Sequence, residues 1–312
     1  MINHKKNYIA PKSLESSFSL DFLRMAEEIF SLRNQNEPDV VFDLRNVKRT
    51  GILGLLLIYK FVEFTVSNKC FLAPLLYHNP YIKEQLQEYR FWNLLESYMS
   101  EKPKSNYNEL EYKLSDGFFI APMPLLRSSK YTKNSLLPQI SNYYSGNEVI
   151  ESIVLDCLNE ILLNFWEHAV DDTQSILVAK GNKDKIEIAC ADTGNGIVST
   201  LSPVLENNLS KENILLKALQ RNVTSKRDTS HMGCGLWIIN QLVSANKGHL
   251  NIFSEGAFVI NRLGKITSGR CSFWQGTIIY LSLPLKNPIN MAEILKEEIP
   301  QYNRLKINFV DI

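Results

Sequence analysis

The tightest constraint on this chain is a strand that ends on an acid and runs straight into two glycines. Lys185-Ile186-Glu187-Ile188-Ala189-Cys190-Ala191 alternates and then turns apolar, and Asp192-Thr193-Gly194-Asn195-Gly196 closes it. The pattern predicts a strand with a covered face. A buried carboxylate at Asp192 can accept a hydrogen bond from an exocyclic amine such as that of adenine. Gly194 and Gly196 allow a sharp turn and let a ligand come close to the backbone. Taken alone, an Asp-Gly pair is also ordinary strand-end turn chemistry.

Two further segments add to this one. Upstream, Glu148 to Val170 reads as a long helix on which Val154, Leu158, Ile161 and Phe165 form an apolar stripe. Glu160, Asn164, Glu167 and His168 fall on an adjacent face, because steps of four and seven nearly superimpose on a helix. The Asn164 amide oxygen suits a hard Mg2+ that also holds phosphate oxygens. A carboxylate one turn earlier, Glu160, suits general-base work on a water or a hydroxyl. Downstream, Gly233-Cys234-Gly235 precedes Leu236-Trp237-Ile238-Ile239, which predicts a helix start whose amides can bind phosphate. Between the glycine turns lies a polar stretch, Ser199 to Met232, that includes Thr224, Ser225, Lys226 and Arg227 near its end. It is expected to be a lid over a bound triphosphate, since structureless loops of that length are uncommon unless functional.

The rest of the chain is organised around this segment. Residues 20–33 predict an amphipathic helix. Val40-Val41-Phe42-Asp43-Leu44 predicts a short strand, Gly51 to Val66 a helix buried on most sides, Phe71 to Leu75 a second strand, and Tyr81 to Tyr98 a third helix. The polar run from Glu101 to Asn108 reads as a linker. Gly117 to Leu126 reads as a strand, Ser128 to Gly146 as a loop, and further strands are expected near Ser175–Ala179, Leu250–Phe253, Ala257–Ile260 and Thr277–Leu283. The chain of 312 residues is 45% hydrophobic and 21% charged, which fits a soluble globular protein of two domains. A net charge of +1 gives no reason to expect nucleic acid or an anionic membrane as partner. Five cysteines without metal-ligand spacing read as reduced thiols in a cytoplasmic protein.

In order and spacing, residues from about 148 to 285 resemble the GHKL superfamily of ATPases and kinases. Glu160 and Asn164 match its N box. Asp192, Gly194 and Gly196 match the first glycine box, Gly233 and Gly235 the second, and Gly276-Thr277 the closing Gly-Thr pair. Glu160-x-x-x-Asn164-x-x-x-His168 is most similar to the anti-sigma-factor serine kinase branch. The resemblance implies a two-layer α/β sandwich that binds ATP and Mg2+. Asn164 would hold the metal, Glu160 would be the base, and Asp192 would contact adenine with Thr277 supporting it. His168, Leu236 and the lid cations Lys226 and Arg227 would complete the nucleotide site.

Val40 to Asn46 followed by Thr50-Gly51-Ile52-Leu53-Gly54 resembles the core of a STAS domain. Lys48 and Arg49 stand where that family carries an Asp-Ser pair, so Thr50 is the only hydroxyl left and phosphate acceptance is not expected. The expected architecture is therefore α/β throughout: a STAS-like unit at 1–100, a linker and connecting strand at 101–146, a GHKL unit at 147–288, and a tail at 289–312. The expected function is an ATP- and Mg2+-binding regulator, either a serine/threonine kinase or a slow ATPase. The alternative is a switch that binds ATP without turnover. Expected partners are a STAS-type protein, another regulator, or a second copy of the chain, with neither nucleic acid nor membrane.

Overall fold

The computed structural model describes residues 6–31, 40–68, 75–99, 117–124, 137–168, 175–206, 208–225, 233–286 and 288–298. The fold is α/β. Its strands in the first hundred residues are β1 (Lys6–Ile9), β2 (Ser13–Leu14), β3 (Val40–Leu44), β4 (Arg49–Thr50) and β5 (Leu75–His78). Those that follow are β6 (Phe118–Pro124), β7 (Ile176–Gly181), β8 (Lys185–Ala191), β9 (His249–Ser254), β10 (Ala257–Arg262), β11 (Lys265–Arg270) and β12 (Thr277–Pro284). The last seven form one sheet in the order β11-β10-β9-β12-β8-β7-β6. All its neighbouring pairs are antiparallel. Strand alternation sends every second side chain to each face, and both faces are covered except along the exposed edge strand β11.

One face meets helices from the second half of the chain. Ile188, Cys190, Ile279, Leu281, Leu250 and Ile252 point to this side and pack with α6 (Glu148–His168) and α9 (Gly235–Ala245). These two helices also pack on each other. The other face meets the N-terminal unit. There β1, β3 and β5 form a parallel sheet in the order β1-β3-β5, and β2 pairs with β4. Helix α2 (Ile52–Asn68) lies against β8 and β7 of the large sheet. Ile52 to Thr65 is buried throughout. This explains why α2 is apolar on nearly all sides: a helix between two layers has no water-facing stripe to keep polar. A Cβ on Gly54 would overlap the Leu14 carbonyl, so glycine lets α2 approach that segment closely.

Helix α1 (Ser19–Ser31) and the pair α3 (Pro80–Glu88) and α4 (Phe91–Met99) complete the N-terminal layer. Aromatic rings fill the seam. Phe30 of α1 sits 4.6 Å from Phe64 and 5.1 Å from Trp274, ring centre to ring centre. At the other end of this face Lys180 Nζ donates to Tyr89 Oη at 3.1 Å and pairs with Glu187, whose carboxylate accepts from Tyr280 Oη at 2.6 Å.

Several local expectations need correction. The helix expected over Tyr81–Tyr98 is two helices, because Arg90 takes a left-handed φ of 60° that ends α3 before α4 begins. The loop expected over Ser128–Gly146 contains α5 (Leu137–Tyr144), whose Ile140 and Tyr144 are buried in the helix-side core. The strand expected at Phe71–Leu75 falls largely outside the described residues, and β5 starts at Leu75. Strands β1 and β11 and helix α10 (Met291–Glu298) add to the expected set. Part of the expected lid is built structure: α7 (Ile197–Leu201), a 3-10 turn at Ser202–Val204 and α8 (Lys211–Ala218) bury Leu201, Ile214, Leu215 and Ala218, while 226–232 lies outside the described residues.

Candidate functional site

The helix face of the sheet is aliphatic until its last row, where it turns polar. Thr277 pairs with Ser254 across β12 and β9. The Asp192 N–H donates to the Thr277 carbonyl at 3.0 Å, which puts these two side by side. Asp192 stands two residues beyond Cys190, so it shares the face of that buried thiol. The candidate site combines this row with α6 and α9, which cover the same face of the sheet.

Asp192 is only 3% exposed. Its Oδ1 accepts from the Gly194 N–H at 2.7 Å, and its carbonyl accepts from the buried Trp274 indole N–H at 2.8 Å. Gly276, at φ 87°, lies against the same carboxylate, and a Cβ there would overlap Oδ1. Burial pushes the Asp192 carboxyl up to about 7, opposed by the Gly194 N–H and by the positive charge of Lys60. Lys60 is itself fully buried on α2, ion-paired with Glu63, and belongs to the opposite face of the sheet. In a low-dielectric interior its charge reaches through one strand layer.

Glu160 and Asn164 lie one turn apart on α6, as the sequence predicts. Asn164 Nδ2 donates to the Glu160 carbonyl at 2.7 Å, which leaves Oδ1 as the acceptor that can face a cation. The first turn of α9 rests directly on this pair. A Cβ on Gly235 would overlap Glu160 Oε2 and lie 3.2 Å from Asn164 Nδ2. The positive end of α9 is thus brought onto a carboxylate and an amide from another helix. Gly233 takes a left-handed φ of 63° and packs against the Val223 backbone. Arg221 covers the Trp237 ring at 5.0 Å nearby.

Other expected site residues fall elsewhere. Leu236 is buried in the helix-side core. The close approach allowed by Gly196 is to Ser254 and Glu255, since a Cβ would overlap both side chains. Ser254 Oγ accepts from the Ile197 N–H and Glu255 from the Ser199 N–H, so the start of α7 is capped by the protein itself. His168 is the last residue of α6, and its side chain lies outside the described set, as do Lys226 and Arg227. Among the described residues no group of three or more His, Cys, Asp and Glu could hold a metal. A divalent cation here would need ligand oxygens beside Asn164, which the donor chemistry of a triphosphate supplies.

Sequence reasoning misses the loop that holds Asp192 in place. Trp274 binds the Asp192 carbonyl, and Gln275 Nε2 donates to the Thr193 carbonyl at 2.7 Å. The same loop touches the N-terminal layer through Phe30 and through Glu27, which accepts from the Phe273 N–H at 3.4 Å. No motif announces such a loop; a lone Trp beside Gly276-Thr277 is its only trace. No protein-family model matches this chain, and no curated protein matches it. Among the described residues no helix is long and apolar enough to cross a membrane.

Proposed function

We propose that this chain is a GHKL-type, ATP- and Mg2+-binding regulator: a serine/threonine kinase or slow ATPase coupled to its STAS-like N-terminal layer. The observation that supports this best is the seat of Gly235 on Glu160 and Asn164. A helix that starts on glycine, a side-chain amide and a carboxylate converge there, and each has a different use toward a metal-bound triphosphate. Asp192 adds a buried acceptor at the end of the same sheet face, suited to an exocyclic amine. Bound Mg2+ would supply charge neutralisation on the phosphates, with Asn164 Oδ1 as its protein ligand. Glu160 then accepts the proton of an attacking water or partner hydroxyl. In this reading the protein acts in the cytoplasm on a protein partner, and the N-terminal layer accepts no phosphate.

The reading is tested by calorimetric titration with ATP and Mg2+, followed by turnover of labelled ATP. Binding is expected, and Glu160→Ala is expected to keep it while turnover falls about a hundredfold or more. Absence of binding in the wild type overturns the site assignment. A non-catalytic switch is the second reading, favoured by the loop at 271–276, which touches both α1 and the Asp192 backbone. Binding without phosphate release or transfer under any condition selects it.

A further inference from the structure

The polar row continues one strand beyond Asp192. Ile176 pairs with Ala191 across β7 and β8. One step along the same register, Ser175 falls opposite Asp192. Leu177 and Ala179 point into the helix-side core, and Ser175 shares their face. It is 1% exposed, and its Oγ has no hydrogen-bond partner among the described residues. Native interiors rarely leave a buried hydroxyl unmet, and each case calls for an explanation. Ser254, at the far end of the row, shows the ordinary outcome: its hydroxyl donates to the Gly276 carbonyl and accepts from the Ile197 N–H.

We propose that Ser175 is a base-reading residue, whose hydroxyl donates to one of the two ring nitrogens flanking the 6-amine of a bound adenine. This rests on the nucleotide reading of the site. The chemistry is set by neighbours on adjacent strands. Asp192 is an acceptor and takes the amine. On a 6-aminopurine the atoms to either side of that amine, N1 and N7, are acceptors without hydrogens. They require donors. Ser175, just ahead of β7, and Thr277, at the start of β12, carry hydroxyls on the two strands that flank β8, one on either side of the carboxylate. A 6-oxo purine presents an acceptor to Asp192 instead and loses the match. The unmet hydroxyl is thereby given a partner only when the correct base arrives, which is how a polar site rejects analogues.

The test pairs one protein change with ligands that lack one atom each. Full-length wild type and Ser175→Ala are titrated with ATP, 1-deaza-ATP and 7-deaza-ATP, and thermal unfolding of each protein is recorded without ligand. The wild type is expected to bind ATP about tenfold better than one of the two deaza analogues through the Ser175 contact. Ser175→Ala is expected to lose that tenfold for ATP and to bind that one analogue as the wild type does. Ser175→Thr, which keeps the hydroxyl, is expected to retain the preference. Equal weakening toward all three ligands assigns Ser175 a general structural role and overturns the proposal. No weakening overturns it as well, leaving the hydroxyl to a trapped water. Failure of the wild type to bind any of the three removes the nucleotide reading and this proposal with it, a result distinct from loss of the Ser175 preference alone.

Discussion

One face of the seven-stranded sheet meets aromatic rings and a buried ion pair, while the other meets aliphatic helices and ends in hydroxyls and a carboxylate. Phe30, Phe64, Trp274 and Phe253 fill the first face, and Lys180, Glu187, Tyr89 and Tyr280 satisfy one another at its far end. The second turns polar along Ser175, Asp192 and Thr277. The N-terminal layer and the candidate site therefore stand back to back, with a single layer of strands between them. The loop at 271–276 touches both sides, and the Lys60 charge acts on Asp192 through the strand layer.

The contrast between the faces is most exposed at Trp274, which belongs to both sides. Trp274→Ala should cost about 3–5 kcal/mol in a denaturant titration, since a fully buried ring is lost. It should also weaken ATP binding in the molecules that remain folded, because the indole N–H holds the Asp192 carbonyl. Unchanged affinity would make the aromatic face a structural layer only. A similar loss, about 3–5 kcal/mol, is expected for Lys60→Met, which leaves Glu63 as a buried charge without its main partner. Lys60→Met with Glu63→Leu should recover most of it. If the double variant is no more stable than the single one, the ion pair is not what Lys60 contributes.

Asp192→Asn acts on the second face alone. Affinity for ATP should fall about ten- to a hundredfold, roughly 1.5–3 kcal/mol, by calorimetry. The pH response of the same residue gives an independent readout. With its carboxyl at about 7 when folded, against 3.8 ordinarily, the folded protein keeps a proton that the unfolded chain releases. Its contribution to stability therefore declines as pH rises between those values and is level above about pH 7. ATP affinity should move the opposite way and tighten between about pH 6 and pH 8, as the acceptor carboxylate forms. Asn at this position should flatten both profiles.

The mildest effect on stability is expected at Gly235. Alanine there gains up to about 1 kcal/mol of helix propensity but must displace the end of the Glu160 side chain and crowd the Asn164 amide. Thermal unfolding should shift little, while ATP turnover should drop, because Glu160 is moved. A variant with normal turnover would show that the close seat of α9 on α6 is packing alone.

Much of the candidate site is legible in the sequence, because its determinants are local. The Glu160–Asn164 spacing follows from helix periodicity, the strand end at Asp192 from alternation followed by glycine, and the start of α9 from Gly235 and the apolar run behind it. The helices at 137–144 and 211–218 are not legible there, since short helices held by a few buried side chains carry too little pattern to separate them from polar loops. Arg90 hides its break for a similar reason: nothing marks arginine as left-handed.

Turn and periodicity chemistry act over a few residues, so the sequence alone is enough for the longer elements and for the Asp192 and Gly235 positions at two of their ends. Which face of the sheet each layer covers is a property of the packed chain. The apolar surfaces of α2 and of both sheet faces have many possible partners, and only the packed tertiary structure selects one arrangement. That selection buries Lys60 behind Asp192 and clamps Trp274 between the two layers. It also leaves the Ser175 hydroxyl without a partner among the described residues, beside a carboxylate from the neighbouring strand, a juxtaposition that no local motif encodes.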